Sequence, residues 1–246
     1  MKFKSQSWDE NLKVSIPKNF KQPILPELNC KLINHKLHPL NELSMKKYAD
    51  KFNNILLDAA EEYKFGNPYI NANLRGHDPE NIESYDYFDP DDTNKIVSNL
   101  KYITSHKLKA PQTMYRGNMM PNILPLNSKF TDKGFVSTSY GLETPIYFSK
   151  NNRLFAIHAP IGTKAYYIDN ILDNPAILHE DEILLHPNTR FRVVGHSQHL
   201  GDLNKPTHIT HVAIMNRPEN SKWLDTIKNN HVNIVTKPNW WQNHKE

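Results

Sequence analysis

The apolar residues follow two patterns along the chain: helical spacing up to about residue 108, and short alternating runs beyond it. A helical stripe begins at Asn41, and Gly66 predicts where that helix ends. The stripe consists of Tyr48, Phe52, Ile55, Leu56, Ala59 and Tyr63. After Pro68, the segment 69–76 predicts a second and shorter helix. The first part of the chain is therefore predicted to be helical.

A third helix is predicted after a segment that is rich in acids. Asp91, Asp92 or Thr93 can each cap its first turn, and the apolar residues that follow share one helical face. Those residues are Ile96, Val97, Leu100 and Ile103. The acidic segment 78–92 lacks the ligand order of an EF-hand, so we expect a solvated loop there, with no calcium site.

Beyond Lys109 the pattern predicts seven strands separated by turn residues. They cover residues 113–116, 134–138, 153–159, 164–168, 182–186, 191–195 and 208–215. The predicted class is α+β, a helical N-terminal third packed on a β part. The boundaries are an N-terminal extension over 1–40, a domain over 41–218 (helical over 41–109, β core over 110–218), and a tail over 219–246 that contains three of the four tryptophans.

Glycine content excludes two common ways of binding a nucleotide. The chain has 8 glycines in 246 residues, and none forms G-x-G or begins the P-loop pattern G-x-x-x-x-G-K-[ST]. The Rossmann turn and the P-loop both need such glycines, because their backbone amides must approach the phosphates closely. Any nucleotide must therefore be held by side chains and a different backbone arrangement.

The remaining composition limits the class of protein. No apolar run reaches the ~18 residues of a membrane span, and the polar N-terminus lacks the apolar region of a secretory signal. Cys30 is the single cysteine, which excludes an internal disulfide and a multi-cysteine zinc site. We expect no membrane partner and a cytoplasmic location, in the producing cell or in a target cell. The net charge of +4 permits contact with nucleic acid without requiring it.

Two pairs of histidines raise the question of a metal site. His196 and His199 are three residues apart, as are His208 and His211, within or beside predicted strands. Three-residue spacing places strand side chains on opposite faces, so neither pair can chelate one ion. We expect no metal.

Three short sequence motifs in the β part contain residues that could take part in catalysis or ligand binding. They are Met114-Tyr115-Arg116-Gly117, Phe135-Val136-Ser137-Thr138-Ser139 and Glu180-Asp181-Glu182-Ile183-Leu184-Leu185. If the last string enters a strand, Glu180 and Glu182 face one side, and their repulsion raises the pKa of at least one. Such pairs serve glycoside chemistry, where a carboxylate stabilises an oxocarbenium-like transition state. The alternative is a solvated acidic turn.

The other two strings also allow a functional and an ordinary interpretation. Arg116, at the predicted end of a strand, can grip a phosphate through two parallel hydrogen bonds, or it can be a surface arginine paired with an acid. Ser137 and Ser139 share a strand face and can hydrogen-bond a carboxylate, or they can be ordinary polar strand residues. Each string alone is weak evidence.

In this order, the three strings resemble the arginine-serine-glutamate class of mono-ADP-ribosyltransferases, above all the binary actin-modifying toxins and the Rho-modifying exoenzymes. Two further segments support the resemblance: Ile70-Asn71…Leu74-Arg75 is similar to an element before the catalytic core, and 159–168 is similar to a hairpin of that class. The segment 187–193 follows Glu182 as the closing strands of the class do. The resemblance covers roughly residues 41–218.

The resemblance implies a fold and a mechanism. It implies NAD bound across a split pair of small antiparallel sheets, with Arg116 on the pyrophosphate and Ser137 hydrogen-bonded to Glu182. Glu182 would contact the 2′-hydroxyl of the nicotinamide ribose and stabilise the cation formed as nicotinamide leaves. Glu180 would orient an acceptor guanidinium and take its proton during attack, because free arginine has a pKa above about 12.

The resemblance also implies a wider set of cofactor-binding residues. It adds Gly117, Thr138, Ser139, Arg153 and Tyr69 to the residues already named. An aromatic that stacks near nicotinamide would be Tyr140, Tyr147 or Phe148, and core packing is the alternative for each.

The chain departs from its relatives at three places that bear on the target. Some relatives have a second arginine where this chain has Gly117, and asparagine where it has Gly134. The segment 169–181, which recognises the target in this class, lacks any Phe, Tyr or Trp here. NAD use is therefore better supported than any particular target.

The identity of the acceptor leaves several hypotheses open. The Glu-x-Glu spacing favours a protein arginine, whereas relatives with Gln-x-Glu modify asparagine or other groups. Transfer to RNA or DNA is the alternative, supported by the basic pI and the Lys- and Trp-bearing tail. An NAD glycohydrolase or a non-catalytic binding module are further alternatives. A toxin setting would add an antitoxin or immunity protein as a partner.

Overall fold

A computed structural model describes residues 36–77, 90–118, 123–149, 152–172, 180–200 and 206–215. The N-terminal extension up to residue 35, most of the acidic segment 78–92 and the tail over 219–246 lie outside the described residues. The α-helices within these ranges are α1 (Pro39–Ala49), α2 (Asn54–Arg75), α3 (Pro90–Ile103) and α4 (Glu143–Tyr147). No helix in these ranges is long and apolar enough to cross a membrane.

Helix α2 corrects the predicted helix boundaries. It runs without a break through both Gly66 and Pro68, so Gly66 does not end a helix. The Asn53 side chain accepts a hydrogen bond from an amide of its first turn, and Gly76 ends it at φ 76° in the left-handed region. Burial of Gly66 and of the apolar face around it outweighs the local cost of these two helix breakers.

Two further helix predictions change. Helix α3 begins at Pro90, before the three residues that we expected to cap it. Ile55, expected in the buried stripe, is 61% exposed, because α1 ends at Ala49 and α2 starts a new register at Asn54. The helical spacing of apolar residues in the sequence therefore continues across the gap between α1 and α2, where the helix itself is interrupted.

The strands form one sheet of eight members in the order β2-β7-β8-β4-β1-β3-β6-β5. Their bounds are β1 (Gln112–Gly117), β2 (Lys129–Asp132), β3 (Val136–Ser139), β4 (Arg153–Ala159), β5 (Ala165–Tyr167), β6 (Glu182–Leu185), β7 (Thr189–Leu200) and β8 (Pro206–Ile214). A 3₁₀ helix, Ile168–Ile171, follows β5. Helices followed by a mainly antiparallel sheet confirm the α+β class.

A weak junction divides the sheet into two halves. Strands β1 and β3 pair through one residue pair, Tyr115 opposite Ser139, whereas β1 and β4 pair along six. This junction is the split that the resemblance implied. One pairing differs from the expected antiparallel arrangement, because β4 and β8 run parallel.

Two strand predictions need correction. Strand β2 was missed, because its four residues alternate exposed and buried between polar neighbours and give only a short signal. The segment 159–168 is not a hairpin: β4 pairs with β1 and β8, and β5 pairs with β6 in the other half of the sheet. Gly162, at φ 83°, turns the chain between the two halves.

Buried histidines occupy both faces of β8. His208 Nε2 lies 3.2 Å from His196 Nδ1, and His158 Nε2 lies 3.1 Å from His211 Nδ1. His208 and His211 thus turn to opposite faces, as their spacing predicts. Within the described ranges, no group of three potential ligands could hold a metal ion.

The His196–His208 pair makes stability depend on pH. Burial lowers the pKa of His196 to about 4, and burial followed by the charge of its neighbours lowers the pKa of His208 to about 2. Both folded values lie below the unfolded value of about 6.5, so the unfolded chain binds more protons. We expect the free energy of unfolding to fall as pH drops from about 6.5 towards 4, by about 1.4 kcal/mol per pH unit for each histidine.

Urea denaturation of wild type, His208→Gln and the control His77→Gln between pH 7 and pH 4 measures this effect. The His208→Gln slope should be smaller by about 1.4 kcal/mol per pH unit, and the control slope should match wild type. Equal slopes in wild type and His208→Gln would contradict the assignment.

Candidate active site

Lys64 of α2 lies at the centre of a buried cluster of carboxylates. Its Nζ is 2.7 Å from Glu182 Oε2, 3.0 Å from Asp169 Oδ1 and 3.5 Å from Glu180 Oε2. The side chain of Lys64 is 7% exposed, and those of Glu182 and Asp169 are 5% and 1% exposed. The structure thus brings both sequence-predicted glutamates to one ammonium.

Asp169 holds the backbone of the glutamate pair. Its Oδ2 accepts hydrogen bonds from the amides of Glu180 and Glu182, both at 3.1 Å. Between these two amides, Asp181 adopts φ 54° in the left-handed region, and β6 begins only at Glu182. The two glutamates therefore converge through a turn fixed by Asp169, and strand alternation is not the cause.

The charges of the cluster shift the pKa of its members. Burial raises the pKa of Glu180, the charge of Lys64 opposes this rise, and nearby Glu182 adds to it. This bears out the expected rise for one member of the pair. Burial alone would lower the pKa of Lys64, but Glu182, Asp169 and Glu180 outweigh it and raise that pKa above its usual value.

Sequence analysis missed Lys64 and Asp169. Lys64 stands four residues after Ala60 and beside Tyr63, on the face of α2 that is buried, so a lysine within an apolar stripe was the available signal. Asp169 follows β5 in a segment that offered no pattern of its own. Their roles depend on contacts between residues 11 to 118 positions apart in the chain.

Ser137 has a different partner from the one expected. Its Oγ lies 3.0 Å from Tyr63 Oη, and Asn71 Nδ2 donates to the same Tyr63 oxygen at 3.0 Å. Among the described residues, no hydrogen bond joins Ser137 to Glu182, whose carboxylate meets Lys64. Burial, followed by the charge of Glu182, raises the pKa of Tyr63 to about 12, so its hydroxyl stays protonated.

Asn71 and Arg75 connect α2 to the loop before β3. Asn71 Oδ1 accepts from the Phe135 amide at 2.7 Å, and Arg75 binds both carboxylate oxygens of Asp132 at 2.9 and 3.0 Å. A Cβ at Gly134 would come within 2.7 Å of Asn71 Oδ1 and 2.9 Å of Arg75 Nη2, so a larger residue there would displace these two side chains. These contacts fix the position of the start of β3 relative to α2.

Arg116 lies at the junction between the two halves of the sheet. Its Nη1 donates to the Ser137 carbonyl at 2.5 Å, so the guanidinium reaches from β1 across to β3. The next residue, Gly117, packs against the backbone of Pro145 and Phe148, where a Cβ would lie 2.9–3.0 Å from their atoms. Glycine at this position leaves room for the backbone of α4 and of the residue after it.

The other residues predicted to bind the cofactor, Thr138, Ser139 and Arg153, lie on β3 and at the start of β4. The Thr138 hydroxyl donates to the Ile183 carbonyl at 2.6 Å on the opposite face of β3 from Ser137. Ser139 pairs with Glu182 in the sheet, and its Oγ accepts from the Gly141 amide at 3.0 Å. Arg153 begins β4, beside His208 of β8.

The candidate aromatic residues occupy two environments. Tyr147 is 83% exposed, and its ring lies 5.3 Å from that of Phe148 at the end of α4. Tyr140 packs edge-on to Tyr167 at 5.5 Å. Tyr69 is buried within α2.

A comparison with protein families identifies this arrangement. The family model described as ADP-ribosyltransferase exoenzyme matches residues 40–226. The chain belongs to this family. The match includes the α2 lysine, the Arg116 string, the Ser137 string and both glutamates. No curated protein matches the chain by sequence comparison.

Solved toxins have the same fold as this family member. Plx2a, an ADP-ribosyltransferase toxin from Paenibacillus larvae, is 17% identical with a TM-score of 0.55, over 72% of this chain and 93% of Plx2a. C3stau2 from S. aureus, solved with NAD, is 16% identical with a TM-score of 0.53, over 78% of this chain and 99% of C3stau2.

The enzymatic component C2-I of the Clostridium botulinum C2 toxin is 17% identical with a TM-score of 0.57, over 77% of this chain and 50% of C2-I. This chain thus spans about half the length of C2-I. At such identities the likeness shows the fold.

The Tyr63 hydroxyl gives a test of how the ADP-ribosyltransferase exoenzyme fold is held together. Tyr63→Phe leaves Ser137 Oγ and the Asn71 amide without their shared partner in a buried site. We expect the free energy of unfolding to fall by about 1–3 kcal/mol. Chemical denaturation at pH 7 measures it, with the exposed Tyr147→Phe as a control that should change by less than about 0.5 kcal/mol. A Tyr63→Phe protein as stable as the control would contradict this bonding scheme.

Proposed function

We propose that this chain is an NAD-dependent mono-ADP-ribosyltransferase that transfers ADP-ribose to an arginine of a protein target. The observation that carries the proposal is the convergence of Glu180 and Glu182 on one buried ammonium. Membership of the ADP-ribosyltransferase exoenzyme family supports the reaction class. The relatives solved with NAD and NADH support the co-substrate.

The donor set suits NAD. Arg116 is a permanent cation at the junction of the two half-sheets and offers a planar fork for the pyrophosphate. Glu182 is a buried carboxylate, two strands away in the sheet order β1-β3-β6. NAD has a dianionic pyrophosphate and a ribose that becomes cationic during reaction, so these two side chains match its two charged parts.

Glu182 is the residue we assign to the bond-breaking step. The bond from C1′ of the ribose to the nicotinamide nitrogen breaks, and its electron pair leaves with nicotinamide. The positive charge that develops on the ribose is stabilised by the fixed carboxylate, which also accepts a hydrogen bond from the 2′-hydroxyl. Oε2 of Glu182 binds Lys64, so Oε1 is the oxygen assigned to the ribose.

Glu180 is the residue we assign to the acceptor. A guanidinium nitrogen of the target forms the new bond to C1′ and loses a proton as it attacks. Glu180 is the most exposed carboxylate of the cluster, with 30% of its side chain accessible, and its raised pKa makes it a better base than an ordinary glutamate. We also assign Arg116 and Ser137 to the site. Ser137 acts indirectly, because its hydroxyl contacts Tyr63 and its carbonyl accepts a hydrogen bond from Arg116.

Glu182→Gln tests the assigned carboxylate. The amide keeps the size of the side chain but removes the negative charge, so nicotinamide release from NAD should fall by about 100-fold or more. Release is measured by chromatography, and circular dichroism and urea denaturation confirm that the variant is folded. Wild-type turnover in a folded Glu182→Gln protein would overturn the assignment.

Glu180→Gln separates transfer from hydrolysis. The change removes the base for the acceptor but leaves Glu182, so transfer to protein should be lost while some hydrolysis of NAD by water persists. Labelled NAD measures both products in one reaction. Equal loss of transfer and hydrolysis would contradict an acceptor-specific role.

The acceptor itself is tested with labelled NAD in a cell lysate. Protein and nucleic-acid pools are separated, and mass spectrometry locates the modified group. We expect ADP-ribose on protein arginine. Label confined to nucleic acid would favour RNA or DNA as the target, and nicotinamide release with no labelled acceptor would favour a glycohydrolase.

A further inference from the structure

Three carboxylates share one cation at the centre of the site. Lys64 Nζ lies within 3.5 Å of oxygens from Glu182, Asp169 and Glu180, and the cluster is largely excluded from solvent. If all three carboxylates are ionised, the cluster carries two net negative charges. Burial and mutual repulsion both favour protonation of a carboxylate, so the ammonium is the main force that opposes it.

The ionisation of Glu182 matters more than that of its neighbours. A neutral Glu182 could hydrogen-bond a ribose hydroxyl but could not stabilise a developing cation. The nearest titratable and charged groups on the packed elements are three tyrosines, one aspartate and Arg116, whose Nη1 donates to the Ser137 carbonyl. They are Tyr63 of α2, Tyr140 after β3, Tyr167 of β5, Asp181 before β6 and Arg116 of β1.

Asp169 makes the cation a positioning device as well as a counter-ion. Oδ1 of Asp169 meets Lys64, while Oδ2 holds the amides of Glu180 and Glu182. The ammonium therefore contacts both the side chains of the pair and the group that fixes their backbone. Movement of Lys64 would release both.

We propose that Lys64 is the positioning residue of this site, and that its ammonium keeps Glu180 and Glu182 ionised and directed at one point. The inference rests on the proposed function, since it assigns a role within that reaction. It adds a charged residue of α2 to the proposed catalytic site.

Lys64→Met tests the role through the pH profile of nicotinamide release. Loss of the ammonium should move the acid limb of the kcat/KM profile upward by about 1–3 pH units, because a buried carboxylate that loses its counter-ion is protonated more readily. The matched control is Lys95→Met, which removes an exposed lysine paired with Asp92 on α3 and should keep the wild-type limb.

Two further variants sharpen the test. Lys64→Arg restores a cation and should return the acid limb towards wild type even where kcat stays reduced. Lys64→Met with Asp169→Asn removes one positive and one negative charge, so its limb should shift less than that of Lys64→Met alone. A Lys64→Met limb equal to wild type, with a kcat lowered equally at every pH, would overturn the proposal and leave Lys64 a packing residue.

A stability measurement tests the same charge role without any activity. In folded Lys64→Met the carboxylate pKa should lie above its unfolded value, so folding takes up a proton. The loss of stability relative to Lys95→Met should then be largest at pH 8 and shrink as pH falls towards 5. A loss that is constant over this range would overturn the proposal. If wild type releases no nicotinamide, the proposed function fails, and this profile still decides whether Lys64 holds the carboxylates ionised.

Discussion

The ion pair between Lys64 and Glu182 joins the helical part of this protein to its sheet at a buried position, where neither charge could stand unpaired without a large cost. A lysine from the middle of α2 and a glutamate from the first residue of β6 meet at 2.7 Å, away from solvent. Burying either charge alone would be costly, so each requires the other to be in place. The helix must therefore pack at one position against the sheet, and Tyr63, the residue before Lys64, then reaches Ser137.

The junction between β1 and β3 lies beside the position at which α2 is fixed to the sheet, and the proposed site residues are found on both sides of it. Strands β1 and β3 share one residue pair, so Arg116 and the Glu182 strand belong to two half-sheets joined by few contacts. Arg116 spans the junction to the Ser137 carbonyl, and Asn71 fixes the start of β3 from the helix side. Under the proposed function, side chains such as Arg116 take the place of a glycine-rich phosphate-binding loop in this glycine-poor chain.

Sequence analysis predicted those features that depend on local order in the chain. The α+β class and most strands followed from short strings and their order in the sequence. The continuity of α2 through Gly66 was not predictable locally, because tertiary burial outweighs the cost of a helix breaker. Lys64 was missed for a related reason: its partners are distant in the chain, and a lone lysine has no spacing to recognise.

The most direct measurement is a structure of the full chain with NAD bound to the Glu182→Gln variant, in which turnover is slow enough to capture the complex. The account predicts the pyrophosphate on Arg116 and the nicotinamide ribose beside residue 182, with Lys64 still in contact with Asp169. NAD bound elsewhere, or bound here with its ribose away from residue 182, would contradict the account.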